Sequence, residues 1–216
     1  METEDNIACK VVLVGETGVG KTSIIHRYLY NEYDDNRIST SAAEYKNKVL
    51  KYPEYNKSIS FDIWDTAGQE AYRSVTRNFY INAAIGLMVY DIRVKDSFEN
   101  IKTYWSEQLK EYGEENIILA IAGNKSDLFE QQEVSEKEVK KFAESIGAIF
   151  KLTSCKENIG INELFYECGK KYLEVNKLIA KEKKQKKENE NLKIEGKNVA
   201  NTGKSGKKNV DKLKLV

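Results

Sequence analysis

The chain has 216 residues, 40% hydrophobic and 32% charged, which fits one globular domain with an ordinary core plus an extra segment. No window approaches the roughly 18 consecutive apolar residues of a membrane-spanning helix. The acidic Met1–Asp5 start reads as neither a signal peptide nor, with Glu2 in second place, a myristoylation site. The net charge of +1 is uneven: Lys177–Val216 holds 13 Lys against 5 Asp and Glu, so a body of −7 carries a tail of +8. Cys9, Cys155 and Cys168 lack metal-ligand spacing and read as free thiols of a reducing, cytoplasmic compartment, Cys9 being buried in a strand.

In chain order, Cys9–Val14 is a β-branched apolar run, a buried strand that enters a glycine-rich loop at Gly15. Thr22–Tyr30 follows as a helix with Ile24, Ile25 and Tyr28 at core spacing. Tyr45–Lys51 and Ser58–Trp64 form a strand pair turned around Pro53, the only proline; Ile59, Phe61 and Ile63 alternate with Ser60, Asp62 and Trp64. Ala84–Tyr90 and Ile117–Ala122 are further apolar strands. Between them a helix over 96–112 is expected, capped by Asp96 or Ser97. Ser135 and Glu138 have capping-box spacing ahead of Val139, Phe142 and Ala143. Ala148–Leu152 is a last short strand, and a helix over 161–178 lines up Leu164, Phe165, Cys168, Tyr172 and Val175. Alternating strands and helices make this an α/β chain with a mostly parallel sheet covered on both faces, a three-layer α/β/α domain. From Ala180 onward aromatic residues vanish, and the segment is expected to be disordered. The expected division is therefore a domain over 1–178 and a Lys-rich tail over 179–216.

Gly15-Glu16-Thr17-Gly18-Val19-Gly20-Lys21-Thr22, followed by Ser23, matches G-x-x-x-x-G-K-[ST] in full, between a strand and a helix. Glycines let backbone N–H groups converge on an anion, and the helix adds its positive end. Lys21 is expected at the β- and γ-phosphates and the Thr22 hydroxyl on Mg²⁺. This loop specifies a nucleoside triphosphate without saying which. Asn124-Lys125-Ser126-Asp127 follows the strand ending at Ala122. A carboxylate there can accept from N1–H and the N2 amine of guanine; adenine would leave it unpaired at a cost of about 1–3 kcal/mol. Asn124 would brace the loop and the Lys125 stem would lie over the base. In Asp65-Thr66-Ala67-Gly68-Gln69-Glu70, Asp65 can hold the Mg²⁺ shell through water, Gly68 can approach a γ-phosphate, and Gln69 can orient the attacking water.

These residues, over about 7–178, resemble the Ras superfamily of small GTPases and most closely its Rab branch. The resemblance implies a P-loop G domain with a six-stranded sheet, one antiparallel edge strand and five main helices. It implies that Thr40 ligates Mg²⁺ and contacts the γ-phosphate, that Tyr33 meets the guanine edge, and that Ser154-Cys155-Lys156 contacts guanine O6 through its backbone. It also implies a monomeric switch of vesicle-mediated and intracellular protein transport that binds GTP or GDP and hydrolyses GTP slowly. Effectors, exchange factors and GTPase-activating proteins would read segments 35–45 and 66–80. Trp64–Glu70 and Phe79–Ala83 resemble Rab signatures, and Ser39–Ala43 resembles endosomal Rabs, so an endosomal or Golgi membrane is expected.

Five positions depart from that pattern. Ser41-Ala42 stand for Ile-Gly, Ala71 for Arg and Cys155 for Ala, while Thr17 occupies a position where small residues favour hydrolysis. The Rab C-terminal prenylation cysteine is not seen; no cysteine follows Cys168. The Lys-rich tail would give weak, salt-sensitive contact with an anionic leaflet. Three other readings stand beside this one: a GTP-binding scaffold with negligible hydrolysis, a cytosolic Ras-family switch without membrane anchoring, and an ATP-dependent P-loop kinase. No aromatic platform for nucleic acid stands out, and His26, the only histidine, reads as a boundary residue.

Overall fold

The structure is a computed structural model that describes residues 5–35, 44–65 and 78–177. The chain divides into two units, Met1–Leu173 and Glu174–Val216; of the second, 174–177 are described and helical.

Six strands form one sheet: β1 (Asp5–Val14), β2 (Glu44–Tyr52), β3 (Lys57–Asp65), β4 (Ile85–Asp91), β5 (Ile118–Asn124) and β6 (Ile149–Leu152). Their order is β2-β3-β1-β4-β5-β6. Only β2 runs antiparallel, on β3, and it forms one edge. Both β4 and β5 are buried at all seven positions, as expected of parallel strands covered on two faces. In β3 the predicted alternation holds, with Ile59, Phe61 and Ile63 fully buried.

Among the described residues of the first unit, four helices cover the sheet: α1 (Lys21–Tyr30), α2 (Lys95–Asn100, Ile101–Trp105 and Ser106–Tyr112 in succession), α3 (Glu136–Ile146) and α4 (161–173). Residues 78–80 are helical as well. One layer packs Phe98, Ile101 and Leu109 of α2 and Val139 and Ala143 of α3 against Val12, Val14, Met88 and Ile121. On the other face Tyr28 of α1 stacks on Phe165 of α4 at 3.8 Å, and Phe165 meets Phe61 edge-on at 6.2 Å. The expected three-layer α/β/α arrangement with its antiparallel edge strand is therefore present.

Local starts and stops differ from expectation at three places. Helix α2 begins at Lys95 with Val94 in the cap position, so Asp96 and Ser97 lie inside the first turn. There the Ser97 hydroxyl donates to Val94 O at 2.6 Å and accepts from the Asp91 N–H at 3.2 Å, so it ties the helix start to the end of β4 and caps no N–H of the first turn. The middle of α2, Ile101–Trp105, is a π-helical turn, which periodicity did not foretell. Ser135 does occupy the α3 cap position, but its side chain makes no capping bond. The Glu138 side chain, expected to close the box, pairs instead with Lys102 of α2 at 2.9 Å. A cross-helix ion pair has replaced a local one.

Candidate nucleotide site

The chemistry-bearing residues sit at the carboxyl ends of the parallel strands, where loops leaving the sheet converge. Strand β1 delivers the loop 15–20, β3 delivers Asp65, β4 Asp91 and β5 Asn124; Thr153–Lys156 follow β6.

The loop after β1 turns through left-handed backbone at Gly15 (φ 141°), Gly18 (φ 78°) and Gly20 (φ 100°). Two of these glycines are also sterically required. A Cβ on Gly15 would lie 2.2 Å from Val89 O, and one on Gly20 would lie 2.3 Å from Asn124 Nδ2. The Lys21 ammonium is folded back into the loop, donating to Gly15 O at 2.8 Å and Glu16 O at 2.9 Å. Burial lowers its pKa to about 8, against the pull of Asp65 and Glu16. A desolvated ammonium ringed by loop carbonyls is well placed to meet an incoming phosphate. Thr22 and Ser23 follow in the first turn of α1, half-buried.

The base half hangs on Asn124, which is 1% exposed. Its Nδ2 donates to Val19 O at 2.8 Å, tying the loop after β5 to the loop after β1 across 105 residues of sequence. Its Oδ1 accepts from Thr153 Oγ1 at 3.2 Å and Cys155 Sγ at 3.6 Å. Lys125 takes left-handed backbone, and its Nζ donates to Gly18 O at 2.7 Å. The Asp127 carboxylate accepts from Ser154 Oγ at 2.6 Å, and Ser154 Oγ in turn accepts from the backbone N–H of Glu157 at 3.0 Å. Ser154 and Ile159 exchange backbone bonds that close the 154–159 loop. Burial pushes the Cys155 thiol up to about 11.

Between these halves lies an open cleft of about 200 Å³. Of the residues expected at the site it is lined by Gly18, Gly20, Ser23, Tyr33, Asn124, Lys125, Asp127, Cys155 and Lys156. Gly15, Val19 and Ser154 are buried behind that lining. Asp65, at the end of β3, is buried and close enough to act on the Lys21 ammonium. Thr17 is exposed on the loop. Thr40, Gly68 and Gln69 lie outside the described residues, with Ser41, Ala42 and Ala71 and most of the two segments expected to respond to nucleotide.

Several contributors were missed. Asp34, Asp35 and Leu128 also line the cleft. The Tyr33 hydroxyl donates to Asp35 at 2.6 Å, a bond that together with partial burial holds its pKa up at about 12. Arg27 of α1 donates from Nε to Cys155 O at 2.7 Å, and its guanidinium carbon lies 5.9 Å from the centre of the Tyr33 ring. Asp91, 3% exposed, accepts from Lys125 Nζ and Arg93 Nη2, each at 2.8 Å. An acid ending an otherwise apolar strand was the available signal for Asp91; nothing in local spacing marked Arg27.

A glycine loop cradling a buried lysine between strand and helix, on a sheet of this order, defines a P-loop G domain. The sequence model of the Ras family matches residues 10–174. Rab-22A of Canis lupus familiaris is 44% identical over 162 residues, covering 75% of this chain and 82% of that protein. Rab-31 of Mus musculus is 47% identical over 156 residues, 72% of this chain and 78% of its own length. Rab-21 of Geodia cydonium is 41% identical over 170 residues, 79% and 73% respectively. The chain belongs to the Ras family, as a Rab-type small GTPase of membrane traffic that binds guanine nucleotide and hydrolyses GTP to GDP. That membership sets aside the ATP-dependent kinase and the non-hydrolysing scaffold.

Proposed function

We propose that the cleft holds the guanine base and ribose between Tyr33, Lys125, Asp127 and the Ser154–Lys156 loop, with the phosphates wrapped by residues 15–23. The observation that carries this reading is the Asn124–Val19 bond, which makes one rigid unit of the base-reading and phosphate-holding loops. Asp127, fixed on one oxygen by Ser154, presents its carboxylate for the N1–H and N2 amine of guanine. Lys21 leaves its loop carbonyls for the β- and γ-phosphates.

The residues present suit Mg²⁺. Thr22 and Asp65 offer hard oxygen donors, Asp65 buried beside the phosphate loop. Among the described residues no group of three His, Cys, Asp or Glu could hold a metal alone, so phosphate oxygens and Thr40 would complete the set. When bound, the ion would neutralise charge on the β- and γ-phosphates. In hydrolysis Gln69 orients a water whose oxygen bonds to the γ-phosphorus as the bond to the β–γ bridging oxygen breaks. Thr40 and Gly68 hold the γ-phosphate, and its loss releases the 35–45 and 66–80 segments. No arginine of the body is assigned to the reaction centre, so intrinsic turnover is slow and an activating protein supplies about 10³–10⁵-fold.

Partners are expected at those same segments. Tyr45, 52% exposed, lies 5.4 Å from Trp64, which lies 5.7 Å from Phe79; this aromatic ladder borders both segments and suits an effector's apolar side chains. We place the protein as a monomer, peripheral on endosomal or Golgi membranes. No described helix is long and apolar enough to cross a membrane. The residues over 179–216 lie outside the described set, and their lysines suit an anionic surface. Competition between GTP and ATP for the purified protein tests the base assignment: guanine should win by orders of magnitude, and a preference for ATP overturns it. Single-turnover hydrolysis by Gln69→Leu tests the water-orienting role: the intrinsic rate should fall, and an unchanged rate removes it.

A further inference from the structure

We propose that Asp91 and Arg93 form a positioning pair that sets nucleotide residence time by clamping Lys125 against the phosphate loop. The inference rests on the cleft being the guanine site, and it concerns two residues with no role in that reading.

The β4–β5 register places Asp91 directly beside Asn124, so the acid ends its strand where the base-reading loop begins. Asp91 Oδ2 accepts from Lys125 Nζ at 2.8 Å and from Arg93 Nη2 at 2.8 Å. Asp91 Oδ1 accepts from Arg93 Nε at 3.1 Å and from the Arg93 backbone N–H at 3.0 Å. Burial alone would raise the Asp91 pKa, but these donors outweigh it and hold the carboxyl below its usual range. The acid is therefore a fixed anion at neutral pH. Lys125 Nζ uses a second donor on Gly18 O at 2.7 Å, so one ammonium bridges Asp91 and the loop that wraps the phosphates. Arg93 also reaches forward, donating from Nη1 to Gln131 Oε1 at 3.4 Å, in the 3₁₀ turn Ser126–Gln131 that carries Asp127.

Two consequences follow. Lys125 is a long, flexible side chain, and Asp91 removes most of the rotamer freedom it would otherwise lose on nucleotide binding. Arg93 holds the carboxylate in the rotamer that faces Lys125. The pair touches no reacting phosphate, so it should govern how long nucleotide stays and not how fast the γ-phosphate is cleaved.

The test is dissociation of a fluorescent GDP from full-length protein in a double-mutant cycle of Asp91→Asn and Lys125→Met, with single-turnover GTP hydrolysis measured alongside. Asp91→Asn should release GDP about tenfold or more faster, the size expected for a lost charged hydrogen bond, with the hydrolysis step within twofold of wild type. In the Lys125→Met background the same change should have little further effect, because the group through which it acts is gone. A purely structural role for Asp91 would give additive effects, and additivity overturns the proposal. If Asp91→Asn does not fold, Arg93→Ala keeps the test open. It should speed release about two- to fivefold when Lys125 is present and leave release unchanged in the Lys125→Met background. Equal effects in both backgrounds overturn the proposal. Wild-type protein that holds no guanine nucleotide would defeat the site reading itself, and this proposal with it.

Discussion

Replacing Asn124 by Ala should separate the two halves of the site without touching a group that contacts the phosphates. The side chain is 1% exposed and makes three bonds, to Val19 O at 2.8 Å, Thr153 Oγ1 at 3.2 Å and Cys155 Sγ at 3.6 Å. The thiol contact is weak and is left out. Two neutral hydrogen bonds at about 1 kcal/mol each, with some desolvation cost for the partners left behind, give about 2–4 kcal/mol. If that loss falls on loop ordering, GDP affinity drops roughly 30- to 700-fold. Equilibrium titration with a fluorescent GDP, paired with thermal melts with and without excess nucleotide, would show how the loss divides between affinity and stability. Gly20→Ala attacks the same bond from the other side, since its Cβ would lie 2.3 Å from Asn124 Nδ2. The two changes should therefore be far from additive. GDP affinity within threefold of wild type in Asn124→Ala would refute the idea that this bond joins the halves.

Ser154→Ala removes the 2.6 Å bond to Asp127 and should weaken GDP binding about tenfold while leaving the weak binding of ATP unchanged, as read by the same titration. Gly169→Ala puts a Cβ 2.0 Å from the Tyr52 hydroxyl. Overpacking of about 1–3 kcal/mol, partly offset by Ala's helix preference of about 1 kcal/mol, should lower the melting temperature by a few degrees with GDP affinity unchanged. The thiols set a pH dependence. Burial raises Cys155 to about 11 and Cys168 to about 12, so between pH 9 and 11 the folded chain keeps protons that the unfolded chain has lost. Stability should therefore fall as pH rises through that window. Denaturant melts of wild type against Cys155→Ala check this, and parallel pH profiles would exclude Cys155 as a source. All three described cysteines are buried and free, so thiol reagents at pH 8 should react slowly until the protein is unfolded.

Elements whose cause is local were legible in the chain. Three apolar runs, those of β1, β4 and β5, read as strands because burial on two faces demands such runs, and the polar–apolar alternation in β3 marked the strand beside the edge. Where the cause is a distant partner, local reading failed. Glu138 looked like half of a capping box because its spacing from Ser135 is right, yet Lys102, 36 residues away, holds it. Ser97 looked like a cap until Val94 took that position. The π turn of α2 carries Trp105, whose indole N–H donates to Glu16 Oε1 at 3.3 Å in the phosphate loop, a contact across 89 residues with no local signature.

The site divides along the same line. Motifs named the groups that meet the ligand, because glycines, a lysine and an Asn-Lys-x-Asp turn have few other uses in that order. They could not name the groups that hold those residues in place. Asp91, Thr153 and Arg27 act only through neighbours, and their adjacency depends on strand order: β4 beside β5 puts Asp91 next to Asn124, and β6 beyond β5 brings the 153–156 loop round to both Asn124 and Arg27. A residue that touches ligand is constrained by the ligand's chemistry and so has a recognisable type. A residue that touches only another residue is constrained by geometry, and several types could serve. The supporting residues are therefore where this chain can differ from its relatives without losing guanine, and nucleotide residence time is the property such differences should change first.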